Sequence, residues 1–353
     1  MTPSPSAPGS RIASRLGTSD RIFAGPRSRK LLKAVEAGLE RVEAGLAEDL
    51  RVTSPVADSA SRYLLEAGGK RMRPMLTLLV AQLGDSDNEH VIDAAKALEM
   101  THLGSLYHDD VMDGADRRRG VPSAHAVWGN NVAILTGDLL FARASQLMAG
   151  AGERAIRLQA DTFERLVLGQ MNETVGPGEG DDPIDFYIQV LADKTGSLIA
   201  AAAACGIIFS GAPDEYEAAV REYGEKVGVA FQLLDDVIDL SPSAQETGKV
   251  PGTDLRAGVP TMPFLLLARS SEPADRDLAA RIRAGQERVA AGEDPITLDA
   301  EIDQLRENAV TDRTRDLARQ WSAEAVAALD VLPRGAVHEA LLRFADAVVD
   351  RAA

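Results

Sequence analysis

Three features of the chain predict an all-helical fold. Apolar residues make up 45% of its 353 positions and recur at intervals of three and four, the period of an amphipathic helix. They are carried mainly by Ala, Leu and Val, with only 4% aromatics, a composition that favours helices over strands. No convincing run of alternating apolar and polar residues marks a strand.

The first 26 residues are rich in Ser, Pro, Gly and Arg and lack this period, so they are expected to be a disordered tail outside one helical domain of residues 27–353. Helical periods then run over 29–50, 54–67, 71–84 and 89–113, and over 122–148 and 153–173. The clustered Gly, Pro and Asp of TVGPGEGDDP (174–183) break the pattern. Two further long helices are predicted at 183–210 and 213–240. The next breaker, SPSAQETGKVPGTDLRAGVPTMP (241–263), is too long for a routine connection and reads as a functional lid. Further periods at 260–270, 274–290, 297–328 and 334–351 complete the chain. No fixed-period repeat appears, and no Pro- or Ser-rich linker follows residue 26, so a single domain is the simplest organisation.

With 38 Lys plus Arg against 54 Asp plus Glu, the formal net charge is −16, which argues against a general nucleic-acid binder. Phosphorylated ligands stay open, because Mg²⁺ reverses the sign of a carboxylate-lined site. The lone Cys205 excludes an internal disulfide or a cysteine-built zinc site and reads as a small buried hydrophobe. No run approaches the ~18 uninterrupted apolar residues of a membrane span. The N-terminal segment has no apolar core of a secretory signal, so a cytoplasmic protein is expected, peripheral to a membrane at most; a mitochondrial transit peptide is the second reading.

One acidic word is written twice: HDDVMD, with Asp109, Asp110 and Asp113, and LLDDVID, with Asp235, Asp236 and Asp239. Each ends a long helical pattern, where positions i and i+4 share a face, so Asp109 pairs with Asp113 and Asp235 with Asp239. Like charges at that spacing repel unless a cation is shared. One such cluster is as readily a solvated acidic face. Two clusters, both embedded in apolar sequence, point instead to a hard, oxygen-loving ion such as Mg²⁺. An EF-hand is excluded by the spacing. Basic groups stand near glycines and acids: GGKRMRP at 68–74, DRRRG at 116–120, Lys194 with Thr195, and Lys249. Two separate basic groups suggest two diphosphates, one held through metal and one by Lys and Arg, although Arg117 to Arg119 would also neutralise a helix C-terminus.

From about residue 30 onward the chain resembles the trans-prenyl (polyprenyl) diphosphate synthases, of the medium- and long-chain type. The resemblance rests on GGKRMRP, HDDVMD with DRRRG, GNNVAILTGD (129–138), DKTGSL (193–198), FQLLDDVID and GKVPGTDLRAG in order. Gly196, where alanine is common, and Gln170, where glutamate is frequent, depart from the pattern. The resemblance implies an isoprenoid-synthase-type bundle of long antiparallel helices around a deep cavity, with the two aspartate helices facing each other across its mouth. It implies Asp109, Asp113 and Asp235 as direct Mg²⁺ ligands, three ions with bound diphosphate, and Asp110, Asp236 and Asp239 as water-mediated partners. Arg118, Lys194, Thr195, Gln232 and Lys249 correspond to allylic diphosphate contacts. Lys70, Arg73, His102 and Arg119 correspond to the isopentenyl diphosphate site, assisted by Arg71. His102 also lies seven residues before Asp109, two turns down the same face. His90, His108, His125 and His338 are read as structural.

The implied reaction is magnesium-dependent head-to-tail condensation of isopentenyl diphosphate onto an allylic primer by a homodimer. The growing chain would pass Gly104 and Ser105, five and four residues before Asp109, about one turn below the metal. Two small side chains there leave the path open, with Thr101 and Leu98 as deeper floors; the alternative is that Gly104 only permits close helix packing and length is fixed elsewhere. At roughly one unit per open turn, the resemblance implies a product of about six to ten isoprene units for a quinone tail. A geranylgeranyl diphosphate synthase is the runner-up and a class I terpene cyclase comes third, disfavoured by GGKRMRP and the true second DDxxD. A non-catalytic subunit or a plain acidic scaffold would not need both words intact.

Overall fold

The computed structural model describes residues 19–23, 28–241, 251–292 and 298–350. In chain order its helices are α1 Ser19–Ile22, α2 Arg29–Asp49, α3 Pro55–Glu66, α4 Met72–Ala81 and α5 Glu89–Met112. After a two-residue antiparallel pair, β1 Arg117–Arg118 and β2 Val121–Pro122, come α6 Ala124–Trp128, α7 Asn130–Gly150 and α8 Glu153–Val175. Then follow α9 Pro183–Leu191, a π turn Ala192–Gly196, α10 Ser197–Ser210 and α11 Glu217–Asp239. The remainder is α12 Thr253–Arg256, α13 Met262–Arg269, α14 Pro273–Ala290, α15 Asp299–Glu307, α16 Ala309–Ala328 and α17 Ala336–Val349. The all-α class expected from composition is what forms.

Residue packing groups the chain into two compact units. One takes residues up to Glu164 with Leu198–Gly224 and Ala328–Phe344, and the other takes Arg165–Ser197, Glu225–Ala327 and residues from Ala345 on. The single domain expected from residue 27 is thus subdivided. No linker could announce it, because most of the crossings fall inside helices such as α8, α11 and α17. The tail boundary also shifts: α1 is helical, and Ile22 and Phe23 are buried.

In the first unit α5 is the central element, packed by α2, α4 and α7. The buried stripe of α2, Leu31, Val35, Gly38, Val42 and Leu46, follows the helical period. α4 is buried without interruption from Pro74 to Ala81, and the Thr77 hydroxyl donates to Ala202 O of α10 at 2.9 Å. Asn88 caps α5 by accepting from the His90 N–H. The α5–α7 approach depends on glycine: a Cβ at Gly104 would stand 2.9 Å from the Phe141 ring, and one at Gly137 would stand 2.3 Å from the His108 ring.

In the second unit Leu240, Leu255, Phe264, Leu267, Leu278, Ile282, Ile302 and Leu305 form a core among α12 to α15 and the end of α11. Leu255 and Arg256 are buried there, so the later half of the expected lid is built into this core. Residues 242–250, with Lys249, lie outside the described residues.

Two expected helices are interrupted. Gly129, at φ 84°, separates α6 from α7, in the left-handed region that favours glycine. Asn308, in extended conformation, separates α15 from α16 and offers its Oδ1 to the Val310 N–H. α7 and the stretch Pro183–Ser210 reach the length and mean apolarity of a membrane span, the second of them mostly buried. Each is interrupted by charge, at Asp138 and Arg143 and at Asp193 and Lys194.

Candidate active site

The first acidic word closes α5. The Asp113 N–H donates to Asp109 O at 2.8 Å, so the last turn is helical and the two side chains stand one turn apart on one face. Asp110 points elsewhere. It is fully buried and accepts from Nε and Nη2 of Arg118, both at 2.7 Å. Burial pushes its carboxyl above the usual range and the Arg118 guanidinium pulls it back. Asp110 therefore pins the arginine hairpin to the end of α5. Three carboxylates crowd a helix C-terminus, where the macrodipole disfavours negative charge by about 0.3–1 kcal/mol apiece. The end of α11, with Asp235, Asp236 and Asp239, repeats that cost. A bound cation would offset that cost.

The cationic basin lies in the same unit as Asp109. Arg71 and Arg119 both adopt left-handed backbone, at φ 51° and 53°, and Arg119 Nη1 donates to Leu64 O at 2.8 Å and to Gly68 O. Arg73 and Arg119 act electrostatically on His102. Burial first, then these and the neighbouring arginines, holds the His102 ring well below its ordinary pKa, hence neutral. Burial, reinforced by Arg119 and opposed by Glu99, lowers the Arg73 guanidinium to about 10. Its Nε is buried with no hydrogen-bond partner among the described residues. A half-buried, under-neutralised guanidinium beside a neutral imidazole and a second arginine suits an anion.

Arg71 adds its charge to that group, while its hydrogen bonds go elsewhere. Its guanidinium donates to Glu43 at 2.5 Å, to Glu99 at 3.1 Å, and to Gly68 O and Leu65 O at 3.0 Å. The sequence placed it beside the diphosphate as an assistant; its donors are instead committed to shaping the loop that presents Lys70 and Arg73. Glu43 and Glu99, which sequence reasoning missed, make this clamp. Arg71 is 5% exposed and Glu99 2%, so Arg71→Ala is expected to destabilise the fold by about 3–5 kcal/mol, because Glu99 stays buried without its partner. Urea unfolding checks this.

The second unit positions the other group. Lys194 and Thr195 sit in the π turn, a feature frequent at functional sites. Lys194 pairs with Glu173 of α8. Asp193 accepts from Arg165 at 2.7 Å, and Arg165 also holds Glu225 at 2.7 Å. Gly169 and Gly196 permit the close approach: a Cβ would lie 2.9 Å from Lys194 N at the first and 3.0 Å from Glu225 O at the second. The departure at Gly196 thus has a steric reason. Gln232 is half-buried on α11, three residues before Asp235. Asp236 is buried and accepts from Tyr187 and from the Met262 N–H. Burial drives its carboxyl well above the usual range, with those hydrogen bonds opposing. Asp254, quoted within GKVPGTDLRAG but not singled out, donates its N–H to Asp239 Oδ2 at 3.2 Å and adds a carboxylate to the cluster. Of the predicted allylic contacts, Arg118 belongs to the first unit and Lys194, Thr195 and Gln232 to the second.

The chain-length face is corrected in part. Gly104 faces the Phe141 ring and Gly137 O, so it serves α5–α7 packing and lines no open path. Ser105, half-buried with its hydroxyl donating to His102 O at 2.9 Å, keeps the Asp109 face. Thr101 is buried and accepts from Gln159 Nε2 of α8 at 2.9 Å. Phe141, Met148, Gln159, Ala160 and Phe163 line a cavity of about 250 Å³ between α7 and α8.

Among the described residues no three carboxylate, histidine or cysteine side chains converge into a ready-made metal cage. The carboxylate oxygens at each of these helix ends are the donor type that suits Mg²⁺, which keeps waters and takes its remaining ligands from phosphate.

A model of the polyprenyl synthetase family matches residues 54–294. A nonaprenyl diphosphate synthase of Mycobacterium tuberculosis is 45% identical over 323 residues, 90% of this chain and 93% of that protein. The crystal structure of a decaprenyl diphosphate synthase from Rhodobacter capsulatus is 31% identical, with a TM-score of 0.82, covering 92% of this chain and 99% of that one. That of a geranylgeranyl pyrophosphate synthase from Corynebacterium glutamicum, complexed with calcium and isoprenyl diphosphate, is 38% identical with a TM-score of 0.79, covering 94% and 99%. On the strength of these matches and of the motifs now placed on the fold, the chain belongs to the polyprenyl synthetase family of prenyltransferases.

Proposed function

We propose that the protein is an all-trans polyprenyl diphosphate synthase that adds isopentenyl diphosphate head-to-tail to an allylic diphosphate, building a chain of about six to ten isoprene units for a quinone tail. The under-neutralised Arg73 beside neutral His102 and Arg119 carries this reading, because it calls for a diphosphate that no metal holds. Lys70, Arg73, His102 and Arg119 bind isopentenyl diphosphate. Asp109, Asp113 and Asp235 hold Mg²⁺, with Asp239 reaching it through water, while Arg118, Lys194, Thr195, Gln232 and Lys249 contact the allylic diphosphate. Bound magnesium, three ions once diphosphate is present, supplies Lewis-acid stabilisation of the departing pyrophosphate.

The allylic C1–O bond breaks and its electron pair leaves with pyrophosphate, whose charge Arg118 and Lys194 stabilise. C4 of isopentenyl diphosphate forms the new bond to C1, and a C2 proton is lost to the departing pyrophosphate. No side chain attacks. The apolar walls exclude water from the allylic cation.

Lys70→Ala and His102→Ala are expected to raise KM for isopentenyl diphosphate about tenfold or more, and Lys194→Ala to raise KM for the allylic partner, each charged contact contributing roughly 1.5–3 kcal/mol. Titrating each substrate at saturating levels of the other checks this; equal effects on both would refute the partition. The protein acts as a homodimer in this reading. α7 leaves Ile134 and Leu135 exposed, and the later half of α8 leaves Val167, Leu168, Met171 and Val175 exposed, more apolar side chains than a lone helix face retains in water. Light scattering at micromolar concentration should give twice the chain mass.

A shorter product is the second reading, favoured by the likeness to the geranylgeranyl synthase structure. Chain-length analysis separates the two.

A further inference from the structure

Tyr187 lies on α9, outside every motif that carries the family resemblance, and its side chain is only 8% exposed. Its hydroxyl stands 3.0 Å and 2.9 Å from the two carboxylate oxygens of Asp236, itself 6% exposed. Asp236 Oδ2 also accepts from the Met262 N–H at 2.8 Å. Met262 is the first residue of α13, and Thr261 before it provides no side-chain cap, so Asp236 serves as the missing acceptor at that helix start. One carboxylate thereby fastens α9 and α13 to the last turn of α11. Asp235 precedes it directly and Asp239 follows three residues later, so the rotation of that turn fixes where both project.

We infer that Tyr187 is a positioning residue for the second aspartate cluster, holding Asp236 inward so that Asp235 and Asp239 are set toward the metal–diphosphate. Tyr187 is buried and acts only through Asp236. The inference rests on the proposed function, since it assumes that the end of α11 binds a metal–diphosphate.

The test is calorimetric binding of an unreactive allylic thiolodiphosphate in the presence of Mg²⁺, with thermal unfolding alongside. Tyr187→Phe keeps the ring and removes the hydroxyl. It should weaken binding about tenfold, the scale of one hydrogen bond to a charged group, while Tm stays within a few degrees and KM for isopentenyl diphosphate within about twofold. Asp236→Asn should weaken binding similarly, and the double variant should be no weaker than Asp236→Asn alone, because both changes break one link. Wild-type affinity in folded Tyr187→Phe, or additive losses in the double variant, would overturn the inference. If Tyr187→Phe does not fold, Asp236→Asn alone decides: weakened binding at an unchanged KM for isopentenyl diphosphate supports it, and unchanged affinity overturns it. A wild-type protein that shows no magnesium-dependent binding overturns this inference and the proposed function together, whereas normal wild-type binding with an unaffected Tyr187→Phe overturns the inference alone.

Discussion

Asparagine in place of Asp109 or Asp235 is expected to lower kcat by at least ~100-fold, the size of losing one preorganised electrostatic stabiliser. Both residues stand in the last turn of long helices, where their charge opposes the helix dipole. The same substitution should therefore raise the stability of the metal-free protein slightly, by removing a repulsive charge. A drop in activity with an unchanged or higher Tm separates loss of a ligand from misfolding. Wild-type turnover by a folded Asp109→Asn protein would remove that residue from the metal set. Asp110 and Asp236 differ from their neighbours: each is buried against its own partners, and their replacement should cost stability or placement before chemistry.

The second large effect concerns product length. Ser105 shares the Asp109 face of α5, one turn lower, whereas Gly104 is turned into the seam with α7. Ser105→Phe is expected to shorten the main product to about C15–C20 while retaining activity, because it fills the path roughly 5.4 Å below the metal without touching the carboxylates. The corresponding change at Gly104 should instead damage folding, since even a Cβ there meets the Phe141 ring at 2.9 Å. Thin-layer separation of dephosphorylated products reads the first outcome and thermal unfolding the second. An unchanged product distribution in Ser105→Phe would move the floor to another face.

The helices were legible because their apolar residues keep a three- and four-residue period, and the acidic words because the same word occurs twice, each time embedded in apolar sequence. What the sequence hid was direction. Asp109 and Asp110 are adjacent letters, yet one shares a face with Asp113 and the other is buried on Arg118; a 100° step on a helix separates the two roles. Arg73 was read as a diphosphate ligand and Arg71 as its assistant; only the fold shows the hydrogen bonds of Arg71 going to Glu43 and Glu99 while the Arg73 Nε has no partner among the described residues. Gly104 read as an opening, because a missing side chain looks the same in a tunnel wall and in a tight helix seam. The break at Gly129 was missed because apolar residues continue on both sides of it, at Ala126 to Trp128 and at Val132 to Leu135. Asp254 and Tyr187 gave no signal of their own, since their roles exist only through contacts with α11.

The most direct test is one reaction: the purified protein, labelled isopentenyl diphosphate, farnesyl or geranyl diphosphate as primer, and Mg²⁺, with and without excess chelator. A linear all-trans product of about C30–C50, one unit per turn of open path, accompanied by one pyrophosphate per unit added and abolished by the chelator, is expected. Release of pyrophosphate from the allylic substrate alone with a cyclised hydrocarbon product, or no incorporation of isopentenyl diphosphate at all, would contradict it.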